Sequence, residues 1–155
     1  KEQGLLSYMM GADGDGAGLL CIPAGGSEEP TNAAAIEAHR QFMQMDGRAV
    51  FKWAIRTVCD AIRETLQHAG KSIADIDALV LHQANIRIID AVIDELGINP
   101  AKAVINVEQY GNTSAGSIPL ALAEAHQQGR IDRGDLVLMC GFGAGLTWGT
   151  ALLRW

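Results

Sequence analysis

Ala78-Leu79-Val80-Leu81-His82-Gln83-Ala84-Asn85 is the stretch that decides the fold. Successive apolar residues with no polar alternation predict a short strand covered on both faces. The strand stops at His82. A helix is expected from about Arg87 to Leu96, with Ile89, Val92, Ile93 and Leu96 on its inner side, and Gly97 ends it. The same sequence of buried strand and polar or glycine-rich turn is read twice more downstream. Ala103 to Val107 leads through Gly111-Asn112-Thr113-Ser114 into a helix that ends near Gly129. Leu136 to Cys140 leads into a tight glycine loop, Gly141 to Gly145. Leu146 to Trp148 and Ala151 to Trp155 are expected as a closing pair of strands. Strands alternating with helices imply an α/β layered domain with a mixed sheet, and no linker or repeat divides residues 1–155.

Upstream of the deciding stretch, a long helix is predicted from about Gly47 to Ala69, capped by Asp46 and ended by Gly70. Phe51, Ile55, Val58, Ile62 and Leu66 form its apolar stripe. Arg48, Lys52 and Arg56 make a basic row on the same helix, and Asp60 and Glu64 extend it. Taken alone, the row fits a solvated face with an Arg56–Asp60 pair as well as it fits a docking face. Arg40, Arg63, Arg130 and Arg133, and His39, His68 and His126, are expected to be solvated and without partners. Ile73 to Ile76 is expected as a short helical turn.

Nearer the start, Gly4 to Met10 reads as a strand, and Asp13-Gly14-Asp15-Gly16 as a hairpin turn from which Ala17 to Ile22 returns. Gly14, Gly16 and Gly18 suit a turn between strands better than a phosphate loop, because no helix opens there. Pro23 to about Gln44 has loop composition. The chain begins on Lys1 and enters its first strand almost at once, as expected of a piece of a longer chain.

Composition narrows the possible classes. A chain of 155 residues that is 48% hydrophobic can bury one core. A net charge of -6 argues against nucleic acid as a general partner. No apolar run is long enough to span a bilayer. Cys21, Cys59 and Cys140 are far apart, lack the spacing of a metal site and lie in apolar stretches, so buried thiols are expected. An odd thiol count fits a reducing cytoplasm.

Three turns carry the candidate chemistry: His82-Gln83-Ala84-Asn85, Gly111 to Gly116, and Gly141-Phe142-Gly143-Ala144-Gly145. Each has an ordinary structural explanation by itself. Together they gather a histidine and an asparagine amide at strand ends, where ligands bind in α/β sheets. A neutral histidine and an amide can donate to one oxygen, which is the make-up of an oxyanion hole.

With these residues in view, a family is recognisable. His82-Gln83-Ala84-Asn85-Ile86-Arg87-Ile88 resembles the HQANxRI segment of ketoacyl synthase III enzymes. Gly111-Asn112-Thr113-Ser114-Ala115-Gly116-Ser117 is similar to their GNTSAAS turn. Met45-Asp46-Gly47-Arg48-Ala49-Val50-Phe51-Lys52 is similar to their MxGxxVFK segment, and Gly141 to Gly149 to their closing FGGGFTWG. Ala144 departs from the glycine of that pattern.

The resemblance implies a thiolase-like fold of which this chain is the C-terminal half, completed by an N-terminal half and assembled as a homodimer. It implies decarboxylative condensation of acyl-CoA with malonyl-acyl carrier protein, with no metal and no cofactor beyond the CoA and phosphopantetheine thioesters. Of a Cys, His and Asn trio it assigns His82 and Asn112. The nucleophilic cysteine belongs to the N-terminal half, and none of the three cysteines here matches it. Gly47 and Asn85 match positions near the pantetheine arm, Phe142 a neighbour of the nucleophile, and Gly143 and Ala144 the loop beside the acyl thioester. Lys52 and Arg87 match basic residues that meet the acidic carrier protein. Alone, the chain is expected to be inactive and to expose a large apolar face.

Overall fold

The computed structural model describes residues 3–155. The deciding stretch forms strand β4 (Ala78–Leu81), with all of its residues buried. It pairs in parallel with β5 (Leu136–Gly143), and β5 pairs antiparallel with β6 (Thr147–Arg154). The outer strand β1 (Gly4–Ala12) runs antiparallel to β6, so the sheet is mixed, in the order β1-β6-β5-β4.

Alternation along β4 and β5 divides the interior into two cores. Leu79, Leu81, Leu136 and Leu138 point to one face, and Ala78, Val80 and Val137 to the other. The first face is covered by α2 (Gly47–His68) and α3 (Ile86–Leu96). The stripe expected on α2 is the one it buries: Val58, Ile62 and Leu66 lie inside, while Phe51 and Ile55 pack at the margin. Each such aliphatic side chain contributes about 1.5–3 kcal/mol of burial, so this layer dominates the fold. The second face is covered by α5 (Ser117–Gln127), whose Ala121 and Ala125 pack against it.

Local signals set the helix ends. Asp46 Oδ1 accepts from the N–H groups of Arg48 at 3.1 Å and Ala49 at 2.9 Å, capping α2. Gly97 closes α3 in the left-handed conformation, with φ 64°. The short turn predicted after α2 is a 3-10 turn, Ile73–Asp75.

Other expectations are corrected. The Asp-Gly stretch makes no hairpin. Residues Gly14–Leu19 form a 3-10 turn, and β2 (Leu20–Cys21) pairs with β3 (Gln44–Met45). The partner of β1 is β6, and the N–H and C=O of Asp13 exchange hydrogen bonds with those of Leu146 at 2.8 and 2.9 Å. Leu146 packs so close to Gly16 that a Cβ there would lie 2.6 Å from it, which accounts for a glycine at this position.

The region from 23 to 44 holds a short helix, α1 (Ala33–Glu37), capped by Asn32, as well as the first residue of β3. Ala103 to Val107 is no strand: it keeps one parallel bridge, Leu79 to Ala103, before α4 (Val107–Tyr110) begins. The glycine loop is narrower than expected, because Gly141 to Gly143 belong to β5. The closing pair of strands is the single strand β6. Cys59 and Cys140 are buried, but Cys21 is only half-buried.

Candidate active site

The end of β4 delivers His82 to the edge of a broad groove of about 1280 Å³. Strand residues Met139, Gly141, Gly149 and Ala151 line it together with Ser117 and Ile118 of α5. Its walls are largely apolar, among them Tyr8, Met10, Ile22, Met43 and Met45, all exposed. His82, Asn112, Phe142, Gly143 and Ala144 line it together. Cys21 lines it as well.

His82 is held on several sides. Its N–H donates to the Cys140 carbonyl at 2.8 Å, continuing the parallel ladder by one residue. Its Nδ1 stands 2.6 Å from Ser117 Oγ. The Phe142 ring meets its ring edge-on, with centroids 5.4 Å apart. Burial holds the imidazole below its ordinary pKa, favouring the neutral form.

Asn112 comes from the loop after α4. Its Oδ1 accepts the Ser114 N–H at 2.9 Å, which leaves the Nδ2 hydrogens to donate. The loop is tightly wound: Gly111 has φ 68° and Ser114 has φ 51°.

Gln83 ties the two arms together. It is 1% exposed, and its amide is fully used. Nε2 donates to the carbonyls of Leu81 at 2.9 Å and Val104 at 3.2 Å. Oε1 accepts from the N–H groups of Asn106 at 3.0 Å and Val107 at 3.1 Å. The segment expected to be a strand therefore satisfies its Val104 carbonyl and the N–H groups of Asn106 and Val107 on a side-chain amide. Asn106 Nδ2 also donates to Glu124 Oε2 at 2.9 Å, fastening the same segment to α5.

Sequence reasoning named neither Gln83 nor Ser117 as a site residue. For Gln83 the available signal was a polar residue directly after a fully buried strand, which must find partners. For Ser117 there was none beyond its place at the end of the Gly111 turn.

The remaining candidates stand outside the groove. Gly47 opens α2, and its nearest non-neighbour side chain is Met45, 3.9 Å from where a Cβ would sit. Asn85 caps α3, its Oδ1 accepting the Ile88 N–H at 3.0 Å, which leaves its Nδ2 hydrogens able to donate to a ligand. The Arg87 guanidinium lies over the Phe51 ring, 5.5 Å from its centroid. Lys52, Arg56 and Arg63 line a shallow hollow of about 370 Å³ beside the same ring. Arg87 thus covers the Phe51 ring, and Lys52 lines the hollow that this ring also borders.

Several charges expected to be free have partners. Arg63, not Arg56, reaches Asp60 at 3.5 Å, and it also pairs with Glu95 at 3.2 Å. Arg40 binds the Glu29 carboxylate, with Nε 2.8 Å from Oε1. Arg130 donates to the carbonyls of Ala101 at 3.2 Å and Ala103 at 2.8 Å. His68 lies 3.9 Å from Glu64, His126 Nδ1 lies 3.2 Å from the Ile131 carbonyl oxygen, and His39 stacks near Phe42.

Two of the thiols are unsuited to nucleophilic chemistry. Burial pushes Cys59 up to about 11 and Cys140 up to about 12, so both stay protonated at neutral pH. Among the described residues, no group of three or more His, Cys, Asp or Glu is placed to hold a metal ion. No helix among them is long and apolar enough to cross a membrane.

Comparison with known proteins gives this geometry its context. The beta-ketoacyl-(acyl-carrier-protein) synthase III of Rhodopirellula baltica is 51% identical over 155 residues, covering 100% of this chain and 45% of its own length. The chain thus spans a little under half the length of the curated relatives it matches. The crystal structure of 3-oxoacyl-(acyl carrier protein) synthase III from Pseudomonas aeruginosa superposes with a TM-score of 0.88 at 40% identity, covering 100% of this chain and 45% of that one. A priming beta-ketosynthase from a polyketide biosynthetic pathway superposes with a TM-score of 0.82 at 38% identity, covering 97% of this chain and 45% of that one. These matches bear out the α/β, thiolase-like expectation for the fold. The family described as 3-oxoacyl-(acyl-carrier-protein, ACP) synthase III C terminal matches residues 66–155, and the chain belongs to that family.

Proposed function

We propose that this chain works as the C-terminal half of a 3-oxoacyl-(acyl carrier protein) synthase III, the enzyme that initiates fatty acid synthesis, and that it supplies the groups stabilising an enolate. The observation that carries this reading is the meeting of His82 and Asn112 in one groove, where the His82 Nε2 and the Asn112 Nδ2 have no recorded partner among the described residues. The N-terminal half brings the cysteine. Its thiolate takes the acyl group from acyl-CoA and releases CoA. Malonyl-acyl carrier protein then brings its thioester to His82 and Asn112. Its carboxylate carbon–carbon bond breaks, carbon dioxide leaves, and the electron pair moves onto the thioester oxygen. His82 and Asn112 donate to that oxygen as its charge develops. The enolate carbon attacks the acyl-enzyme carbonyl, the cysteine thiolate departs, and 3-oxoacyl carrier protein is formed.

The other matched residues take supporting parts. Gly143 and Ala144 offer backbone N–H groups to the acyl thioester, and the methyl of Ala144 narrows that side of the groove. Phe142 stands beside the nucleophile and, by its edge contact, steadies His82. Gly47 and the Nδ2 of Asn85 lie along the pantetheine arm. Lys52 and Arg87, gathered around Phe51, receive the acidic carrier protein. The scheme uses thioester substrates and calls on no metal or organic cofactor. The assembly proposed is a homodimer of complete chains in the cytoplasm.

A second reading, a priming condensing enzyme of secondary metabolism, rests on the likeness to the polyketide ketosynthase. It keeps the same roles for His82 and Asn112 and changes the acyl donor. A non-catalytic assembly module is disfavoured, since it would need neither donor.

The test separates two half-reactions in a complete synthase carrying this chain. His82→Ala should still accept a labelled acyl group from acyl-CoA. It should lose carbon dioxide release from malonyl-acyl carrier protein by roughly two to three orders of magnitude. Acyl loading that fails as completely as decarboxylation would make His82 the base for the cysteine.

A further inference from the structure

We infer that Ser117 is a positioning residue that fixes His82 as the tautomer protonated on Nε2. The inference deepens the proposed role of His82 and rests on it for its catalytic meaning, but its geometry stands alone. Ser117 is the first residue of α5 and only 1% exposed. Among the described residues its hydroxyl has two partners. The Gln83 N–H, a donor with no alternative role, gives its hydrogen to Oγ at 3.2 Å. The other partner is His82 Nδ1 at 2.6 Å.

A hydroxyl has one hydrogen to give. With Oγ already accepting from Gln83, that hydrogen finds an acceptor only at Nδ1. If Nδ1 were itself protonated, Oγ would accept twice and the buried hydroxyl hydrogen would have no partner. Nδ1 is therefore the acceptor, and the ring proton of the neutral imidazole sits on Nε2, ready to donate. Two features act in the same direction. Ser117 lies at the positive end of α5, which disfavours a nearby imidazolium. Burial also favours the uncharged ring.

The consequence is chemical. A neutral histidine with Nε2 protonated can donate to a thioester or enolate oxygen from that nitrogen, but cannot take a thiol proton there. Ser117 thus selects, through His82, between an oxyanion donor and a general base. The role belongs to the hydroxyl, so Ser117→Thr should preserve it and Ser117→Ala should abolish it.

The experiment is nitrogen-15 spectroscopy, with labelled imidazoles at neutral pH, of a complete synthase carrying this chain. His82 is assigned by its absence from His82→Gln, and exposed His39 serves as the reference for mixed tautomers. Wild type and Ser117→Thr should show Nδ1 as unprotonated and Nε2 as protonated. In Ser117→Ala both signals should shift toward the averaged positions of His39. Protonation of Nδ1 in wild type would overturn the inference. So would an unchanged His82 pattern in folded Ser117→Ala. If Ser117→Ala does not fold, wild type and Ser117→Thr still decide the matter. The outcome is independent of turnover: the Nε2–H tautomer combined with undiminished carbon dioxide release by His82→Ala would overturn the proposed function and leave the role of Ser117 standing.

Discussion

His82 and Asn112 reach the same groove on unlike supports. His82 sits at the end of a buried parallel strand, with its ring between Ser117 and Phe142 and its backbone bonded to Cys140. Asn112 sits on an exposed loop, steered by a single bond from the Ser114 N–H and by two residues at positive φ. One donor is placed by packing and the other by backbone winding. Two groups that serve a single oxygen need a shared reference, and Gln83 provides it. It follows His82 directly, and its amide holds the segment from which the Asn112 loop departs.

If that is so, Gln83→Leu should have the largest effect on stability. The apolar side chain leaves buried carbonyls and N–H groups of both arms without partners, at a cost of about 3 kcal/mol or more. Urea denaturation of this chain measures it. A loss well under about 1 kcal/mol would show that the two arms are not joined through this amide.

Ser114→Gly sharpens the comparison from the other side. A non-glycine residue at φ 51° carries backbone strain, and glycine removes it. A gain of about 1 kcal/mol is expected, with no change at His82, since the strain belongs to the Asn112 loop alone. Destabilisation by this substitution would mean that the Ser114 side chain supports the loop in its own right.

The smallest effect is expected from pH, and it belongs to the His82 arm. Burial lowers the His82 pKa, so the unfolded chain takes up a proton that the folded chain resists. The stability this group contributes is complete above the ordinary value of 6.5 and is lost as pH falls through the lower folded value. His82→Gln should therefore flatten part of the decline in stability between neutral and mildly acidic pH. The Asn112 arm carries no titrating group at its tip, so Asn112→Ala should leave that slope unchanged.

What could be read from the sequence divides along similar lines. α2, α3 and β4 were readable because dense apolar periodicity and local caps such as Asp46 and Gly97 specify them within a few residues. The hairpin was misread because the Asp-Gly turn signal is local, whereas the partner of Gly4 is Arg154 at the far end of the chain. Ala103 to Val107 was misread because its apolar character is real but, past the bridge at Leu79, its backbone bonds at Val104, Asn106 and Val107 go to the Gln83 side chain. His82 and Asn112 were named as candidates through the motifs around them, and the structure brings both to one groove. Gln83 and Ser117 were not, because the partners that give them their roles, Val104, Asn106 and Val107 for Gln83 and His82 for Ser117, lie more than twenty residues away in sequence. The apolar face was foreseen, and Tyr8, Met10 and Met45 lie exposed along it.

The central claim is that the two arms serve one oxygen. The most direct test is a double-mutant cycle on carbon dioxide release from malonyl-acyl carrier protein, in a complete synthase carrying this chain. His82→Ala and Asn112→Ala should each cost roughly two to three orders of magnitude. Removing both should cost clearly less than the product of the two, because groups that act as a unit are not additive. Losses that multiply would show that His82 and Asn112 act on different atoms, and would contradict the account.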